Sequence, residues 1–238
     1  MLRTATFPPR ALTLATLHHG ARALAGRNPE LRRLHQLHGP PPLWGRRPGF
    51  STLVRIILEQ QVSLAAARTM YLWLRQEVGD MTPHRVRATG VARLRALGVT
   101  RQKATYIHGL AGALLDGTLD LGAIARASDP EGRQALLALP GIGPWTVDVY
   151  YLMALRRPDV WPQGDLALAD AMHRVFRLPA RPNAEQQRAI ARAWAPWRSV
   201  AARMLWQSYL ATRTHRPARS HVKTDRRPIP NQPPAGAV

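Results

Sequence analysis

The chain has 238 residues, 45% hydrophobic and 20% charged, enough for one complete core or for two small lobes sharing a cleft. Its 34 Lys and Arg stand against 14 Asp and Glu, a formal net charge of +20, and a field of that sign attracts polyanions, nucleic acid first among them. With no cysteine there are no disulfides, thiolate zinc sites or cysteine-ligated iron–sulfur clusters, and no apolar run approaches the ~18 residues of a membrane span.

The N-terminal stretch MLRTATFPPRALTLATLHHGARAL is basic and weakly amphipathic. His18 and His19 interrupt its apolar run and no cleavage site follows, so it reads as mature sequence of a cytoplasmic protein. Residues 1–25 are expected to form a basic extension, with the folded domain over 26–213. Asn28 is an N-cap candidate before Pro29, and Gly39-Pro40 stops that helix. Phe50, Leu53, Val54, Ile57 and Leu58 recur at helical spacing. The string QQVS over 60–63 breaks the pattern, and Ser63 caps a helix running to about Val78. Thr82-Pro83 opens the next helix, and residues 100–117 form another with a glycine stop. Asp129-Pro130 opens a helix reaching Ala138, and a further helix spans Trp145 to Leu155. The segment from Asn183 holds two more, broken at Pro196. No alternating β-branched run supports a sheet, so the expected fold is all-α, with about ten short helices. Residues 214–238 are rich in Pro and Arg and poor in apolar side chains, which predicts a disordered tail.

The connection ALPGIGPWT over 138–146 brackets Gly141 and Gly143 with Pro140 and Pro144. Glycine allows a sharp turn and close approach by another backbone, while Ile142 can plug the core between the two helices. Pro144 suits a first helical turn, where a missing N–H costs nothing. Outward N–H groups at a helix N-terminus bind phosphate, and such contacts hold DNA without reading its sequence. A ligand-free αα-turn is the plainer alternative.

The string LPGIGPWT between helices, in so basic a chain, resembles the hairpin of the helix-hairpin-helix DNA glycosylase superfamily. The resemblance runs from about Asn28 to Arg213. It is closest to the 3-methyladenine DNA glycosylase II, or alkylbase, branch through GFSTLVRIILEQQVSLAAA, LPGIGPWT, WPQGDLAL and WAPWRSVAARMLW. It implies an all-α fold of two helical lobes with the active cleft between them. It also implies a monovalent cation, Na+ or K+, on the backbone carbonyls of Leu137, Leu139 and Ile142, bridging to a DNA phosphate. No other cofactor is expected.

The family's catalytic aspartate falls on Asp165 in WPQGDLALAD. A fixed carboxylate stabilises the oxocarbenium-like sugar and can orient or deprotonate water. A helix N-terminus favours its ionised form; alternatively Asp165 is only an N-cap. Asp148 and Asp170 are the competing carboxylates, Asp148 expected to face away from the cleft or contact its own helix. Bifunctional relatives carry a nucleophilic lysine where this chain has Trp145. Lys103 and Lys223 are its only lysines and neither lies in such a motif, so no lyase step is expected.

Trp145 and Trp206 match aromatic positions of the alkylbase pocket, where a cationic base stacks well. A further aromatic position falls on Val149, which widens the pocket or passes the role to Tyr150 or Tyr151. Core packing is the alternative for each Trp, and Trp194 and Trp197 are assigned to the core. The wedge that fills the gap left by a flipped base matches Gln61, with Gln60 beside it; a capped helix junction is the alternative. Gly141, Gly143, Arg101 and Lys103 are the phosphate-binding candidates, although the last two also suit a solvated face. Arg198 is expected in an internal salt bridge. The nine histidines show no metal spacing, and no nucleotide-binding loop is present.

These features imply a monomeric, monofunctional glycosylase acting on double-stranded DNA, cytoplasmic with the nucleoid. It would release alkylated purines such as 3-methyladenine and 7-methylguanine, with hypoxanthine and ethenoadenine as further candidates. A non-catalytic helix-hairpin-helix DNA binder, or a glycosylase for mismatched or oxidised bases, is the alternative.

Overall fold

A computed structural model describes residues 11–214. Among the described residues the chain forms twelve α-helices and no strand. They are α1 (Leu14–Arg27), α2 (Pro29–His38), α3 (Phe50–Glu59), α4 (Leu64–Val78), α5 (Pro83–Ala96) and α6 (Arg101–Leu115). Then come α7 (Leu121–Arg126), α8 (Asp129–Leu137), α9 (Pro144–Met153), α10 (Leu166–Val175), α11 (Ala184–Ala191) and α12 (Arg198–Thr214), the last preceded by a 3₁₀ turn at Arg192–Trp194. The expected all-α class holds, and the tail over 215–238 lies outside the described residues.

Local chemistry sets most of the boundaries. The side chains of Asn28, Ser63, Thr82 and Thr100 each accept the N–H three residues on, capping α2, α4, α5 and α6. Each cap is worth about 1 kcal/mol. Helix α8 starts with a Ser128–Glu131 capping box, one residue before the expected Asp129. Gly90, at φ 73°, kinks α5.

The helices pack in two groups. Helices α3 to α6 contact one another in one group, while α1, α2, α10 and α12 form the other. Helix α9 packs on α3 and on α8, and its Leu152 carbonyl accepts from Arg203 of α12. One hydrophobic cluster runs through both groups, from Leu17 and Leu24 through Ile56 and Ile57 to Met172 and Leu205. Each fully buried aliphatic side chain contributes about 1.5–3 kcal/mol. Arg203 is fully buried and donates to the carbonyls of Leu43, Leu152 and Ser199, pinning α12 to α9 and to the segment before α3. Burial pushes its pKa down to about 9, and the three acceptors offset the cost of enclosing a charge.

The domain boundary expected at residue 26 falls inside α1 and is corrected here. Thr13 caps that helix in a box with Thr16, and Leu17, Ala21 and Leu24 lie in the core. Residues 14–25 therefore belong to the domain rather than to an extension. Helix α7, absent from the sequence reading, is nucleated by Asp120, whose carboxylate accepts the N–H groups of Gly122 and Ala123.

Candidate active site

Asp165 is the N-cap of α10, and both of its carboxylate oxygens are engaged. Oδ1 accepts the Leu168 N–H at 2.8 Å and the Trp206 Nε1–H at 3.2 Å. Oδ2 accepts the Trp145 Nε1–H at 2.9 Å. Trp145 stands in the first turn of α9, directly after the hairpin, and Trp206 in the middle of α12. The carboxylate thus ties together the starts of two helices and a third helix, and it is 9% exposed. A carboxylate carries about four lone-pair sites. Three are used, and the fourth, on Oδ2, is available to a reacting group. Asp165 is an N-cap, and it is also held in fixed geometry by two indoles.

The loop before Asp165 is anchored from beneath. Asp148 is buried on α9, is paired with Arg133 of α8, and accepts the Gln163 N–H at 3.0 Å. Burial raises its pKa, against the opposing pull of Arg133 and the Gln163 amide. Its contacts, to Arg133 and Gln163, lie outside its own helix. Asp170 pairs with Arg181, and Arg198 makes the expected internal bridge, to Asp159 at 2.7 Å. Trp194 and Trp197 are core residues.

The hairpin differs at its two glycines. Gly141 has φ 82°, and a methyl group there would collide with the ring of Tyr106. Gly143 has φ −89° and ψ 177°, ordinary for any residue, and a Cβ there would meet nothing within 4 Å. The first glycine serves the fold. The second leaves an open, exposed approach to the start of α9. Ile142 is buried as expected, and its N–H donates to Leu139 at 3.1 Å. The carbonyls of Leu137 and Ile142 take no part in the backbone hydrogen bonds of the turn. They keep lone pairs free, the donor type that a monovalent cation requires.

Three sequence expectations are corrected by the geometry. Gln60 is turned inward: its Nε2 donates to the Gly141 carbonyl and to Thr146 Oγ1, both at 2.9 Å, so it fastens the 60–63 turn to the hairpin and is no wedge. Lys103 does not present its ammonium to solvent phosphate, because Nζ donates to the carbonyls of Leu58 at 2.8 Å and Gln60 at 2.7 Å, closing the end of α3. Desolvation lowers its pKa. Tyr150 is fully buried and its hydroxyl accepts the Gly49 N–H, so it lines no open pocket. Val149 is buried too, and the missing aromatic there is filled by core packing. Arg101 remains exposed at the start of α6.

Gln61 is the exposed member of the turn, at φ 57°, beside Val62 and Leu64, themselves 47% and 60% exposed. Sequence reasoning missed Tyr106, Thr146 and Leu166. The last is 76% exposed immediately beside Asp165, an apolar residue at the mouth of the site that helix periodicity places on a solvent face. Among the described residues no cluster of His, Asp or Glu could hold a metal, and no helix is long and apolar enough to cross a membrane.

Comparison with known proteins gives the chain's family and its relatives. The family described as HhH-GPD superfamily base excision DNA repair protein matches residues 54–196. The chain is 27% identical over 205 residues to DNA-3-methyladenine glycosylase 1 of Schizosaccharomyces pombe, covering 83% of this chain and 88% of that protein. It is 32% identical over 176 residues to DNA-3-methyladenine glycosylase 2 of Escherichia coli, covering 68% of this chain and 59% of the other. A solved structure of the fission-yeast 3-methyladenine DNA glycosylase in complex with abasic DNA matches with a TM-score of 0.74 at 26% identity, over 80% of this chain and 96% of that one. The chain spans 65% of the length of a Bacillus subtilis relative to which it is 27% identical. An 8-oxoguanine glycosylase/lyase of Clostridium acetobutylicum shares the fold at 16% identity, with a TM-score of 0.71 over 82% of this chain and 70% of the other.

Proposed function

The chain belongs to the HhH-GPD superfamily of base excision DNA repair proteins, and from that premise we propose that it is a monofunctional DNA glycosylase releasing alkylated purines from duplex DNA. The observation that carries the reading is the Asp165 carboxylate, fixed by two indole N–H groups and a helix-terminal amide with one acceptor site left over.

In the proposed reaction the bond between C1′ and the base nitrogen lengthens and its electron pair leaves with the base. Positive charge builds on the sugar, and the Asp165 carboxylate stabilises it electrostatically. A water oxygen bonds to C1′, its proton passing to the carboxylate and on to solvent, leaving an abasic site. An N3- or N7-methylated purine leaves as a neutral base and needs little protonation, which suits a site with one carboxylate. The indoles of Trp145 and Trp206 act twice: their N–H edges orient Asp165 and their rings offer aromatic surface to a cationic base.

The target base must leave the stack. Gln61 is assigned to the vacated space, where its amide can bond the orphaned partner base. The open approach at Gly143 and the amides at the start of α9 take the phosphate, with Arg101 as a further contact. The carbonyls of Leu137, Leu139 and Ile142 would hold a monovalent cation, which would supply positive charge toward a phosphate at the hairpin. Trp145 stands where a lyase would need its amine, so no Schiff base forms. We take the working unit to be a monomer on chromosomal DNA in the cytoplasm.

The test is base release from methylated duplex DNA by the wild type and by Asp165→Asn. Asparagine is as good an N-cap as aspartate, so the variant should fold while losing at least a hundredfold in rate, the scale of a positioned catalytic group. An active variant would move the chemistry off Asp165. An inactive wild type that still binds DNA would favour the non-catalytic reading.

A further inference from the structure

Two arginines share one tyrosine at the far end of the helices that build the site. The guanidinium carbons of Arg174 on α10 and Arg213 on α12 each lie 5.5 Å from the ring centroid of Tyr209. Arg213 also donates Nη1–H to the Tyr209 hydroxyl at 2.8 Å. Among the described residues neither guanidinium has a carboxylate within salt-bridge distance. Other arginines are spent differently: Arg133, Arg157, Arg181 and Arg198 each pair with an aspartate.

Two like charges on one ring repel, and the ring's negative face offsets only part of that. The arrangement gains most when an anion lies between them. Guanidinium forks suit phosphate oxygens, which they bind bidentately. Both side chains are exposed, with donors free to turn outward. Their location also points to DNA. Tyr209 lies one helical turn beyond Trp206, about 4.5 Å further along α12, and Arg174 stands on the helix that Asp165 caps.

We propose that Arg174, Tyr209 and Arg213 form a second phosphodiester site, separate from the hairpin, that grips the DNA backbone flanking the site, about 13 Å along α10 from Asp165. Tyr209 acts as the platform that holds the two forks at a fixed spacing. This rests on the DNA-acting reading above.

The experiment is a salt titration of binding to undamaged duplex, which needs no catalysis. The variants are Arg174→Gln/Arg213→Gln, and Tyr209→Leu with both charges kept. Each phosphate contact contributes about 0.9 to the slope of log affinity against log salt. The double variant should lower the slope by about 2 and affinity at moderate salt by about tenfold or more. Tyr209→Leu should weaken binding in the same direction although the net charge is the same. Wild-type slope and affinity in the double variant would overturn the site while leaving the glycosylase reading intact. A lowered slope in a protein that releases no base would do the reverse.

Discussion

The indole of Trp145 donates its Nε1–H at 2.9 Å to Oδ2 of Asp165, twenty positions further along the chain. The bond makes a residue of the hairpin helix part of the carboxylate's mounting, in addition to the base-stacking role proposed for its ring.

Replacing Trp145 by Phe separates those two roles, because it keeps an aromatic face and deletes the N–H. A hydrogen bond to a charged group is worth about 1.5–3 kcal/mol, so single-turnover base release should fall roughly tenfold to a hundredfold. DNA affinity should stay near that of the wild type. Trp206→Phe should act in the same direction and less strongly, its bond to Oδ1 being longer at 3.2 Å and shared with the Leu168 amide. Unchanged rates in both variants would reduce the indoles to stacking surfaces.

The two hairpin glycines should respond oppositely to alanine. Gly141→Ala meets the Tyr106 ring from a left-handed backbone and should lower thermal stability by more than about 1 kcal/mol. Gly143→Ala meets nothing within 4 Å, so stability should hold while the dissociation constant for duplex DNA rises. Melting curves and binding isotherms on the pair check this directly.

Gln61→Gly tests the wedge without disturbing the turn, since glycine accepts φ 57° more readily than glutamine does. The variant should be as stable as the wild type or slightly more so. Its excision rate should fall on a fully paired lesion and fall less on a mispaired one, where extrusion costs less. An equal loss on both substrates would remove Gln61 from that role.

Lys103 gives a pH signature. Burial lowers its pKa below the usual 10.5, so in the window between the folded and unfolded values the unfolded chain holds the extra proton. Stability then rises with pH across that window. The charge assistance of the bonds to Leu58 and Gln60 is lost over the same range. Base release should therefore decline at a pH below the ordinary lysine range while the melting temperature does not. Lys103→Arg should push the decline upward, and an unmoved profile would detach Lys103 from the turn's working geometry.

Much of the scaffold is written locally in the chain. Asn28-Pro29, Ser63 and Thr82-Pro83 mark helix starts that need only neighbouring atoms, and Pro-Gly-Ile-Gly-Pro specifies the hairpin by its backbone demands alone. Helix α1 is hard to read from sequence because three of its five buried positions, Gly20, Ala21 and Ala25, are small and carry little hydrophobic signal, Gly20 lying close against Trp197 and Val200. Tyr150 was misassigned because residues 146–152 of α9 are all buried, and such a helix has no polar face to orient the rest. Gln60 and Lys103 went to DNA in the sequence reading since both are polar and near a turn. Their partners lie 81 and 43–45 residues away, and tertiary packing alone decides such pairings.

The bond from Gln60 to the Gly141 carbonyl fixes more than a loop. It makes the turn bearing Gln61 and the hairpin one rigid piece, with Lys103 closing the other side. A piece that takes a phosphate at one end and presents a probe at the other works as a gauge of constant span. On the proposed assignment of the hairpin to a phosphate and of Gln61 to the vacated space, the nucleotide interrogated would be set by counting from the gripped phosphate. Lengthening the segment between Gln60 and Ser63 by a single residue would reset the count.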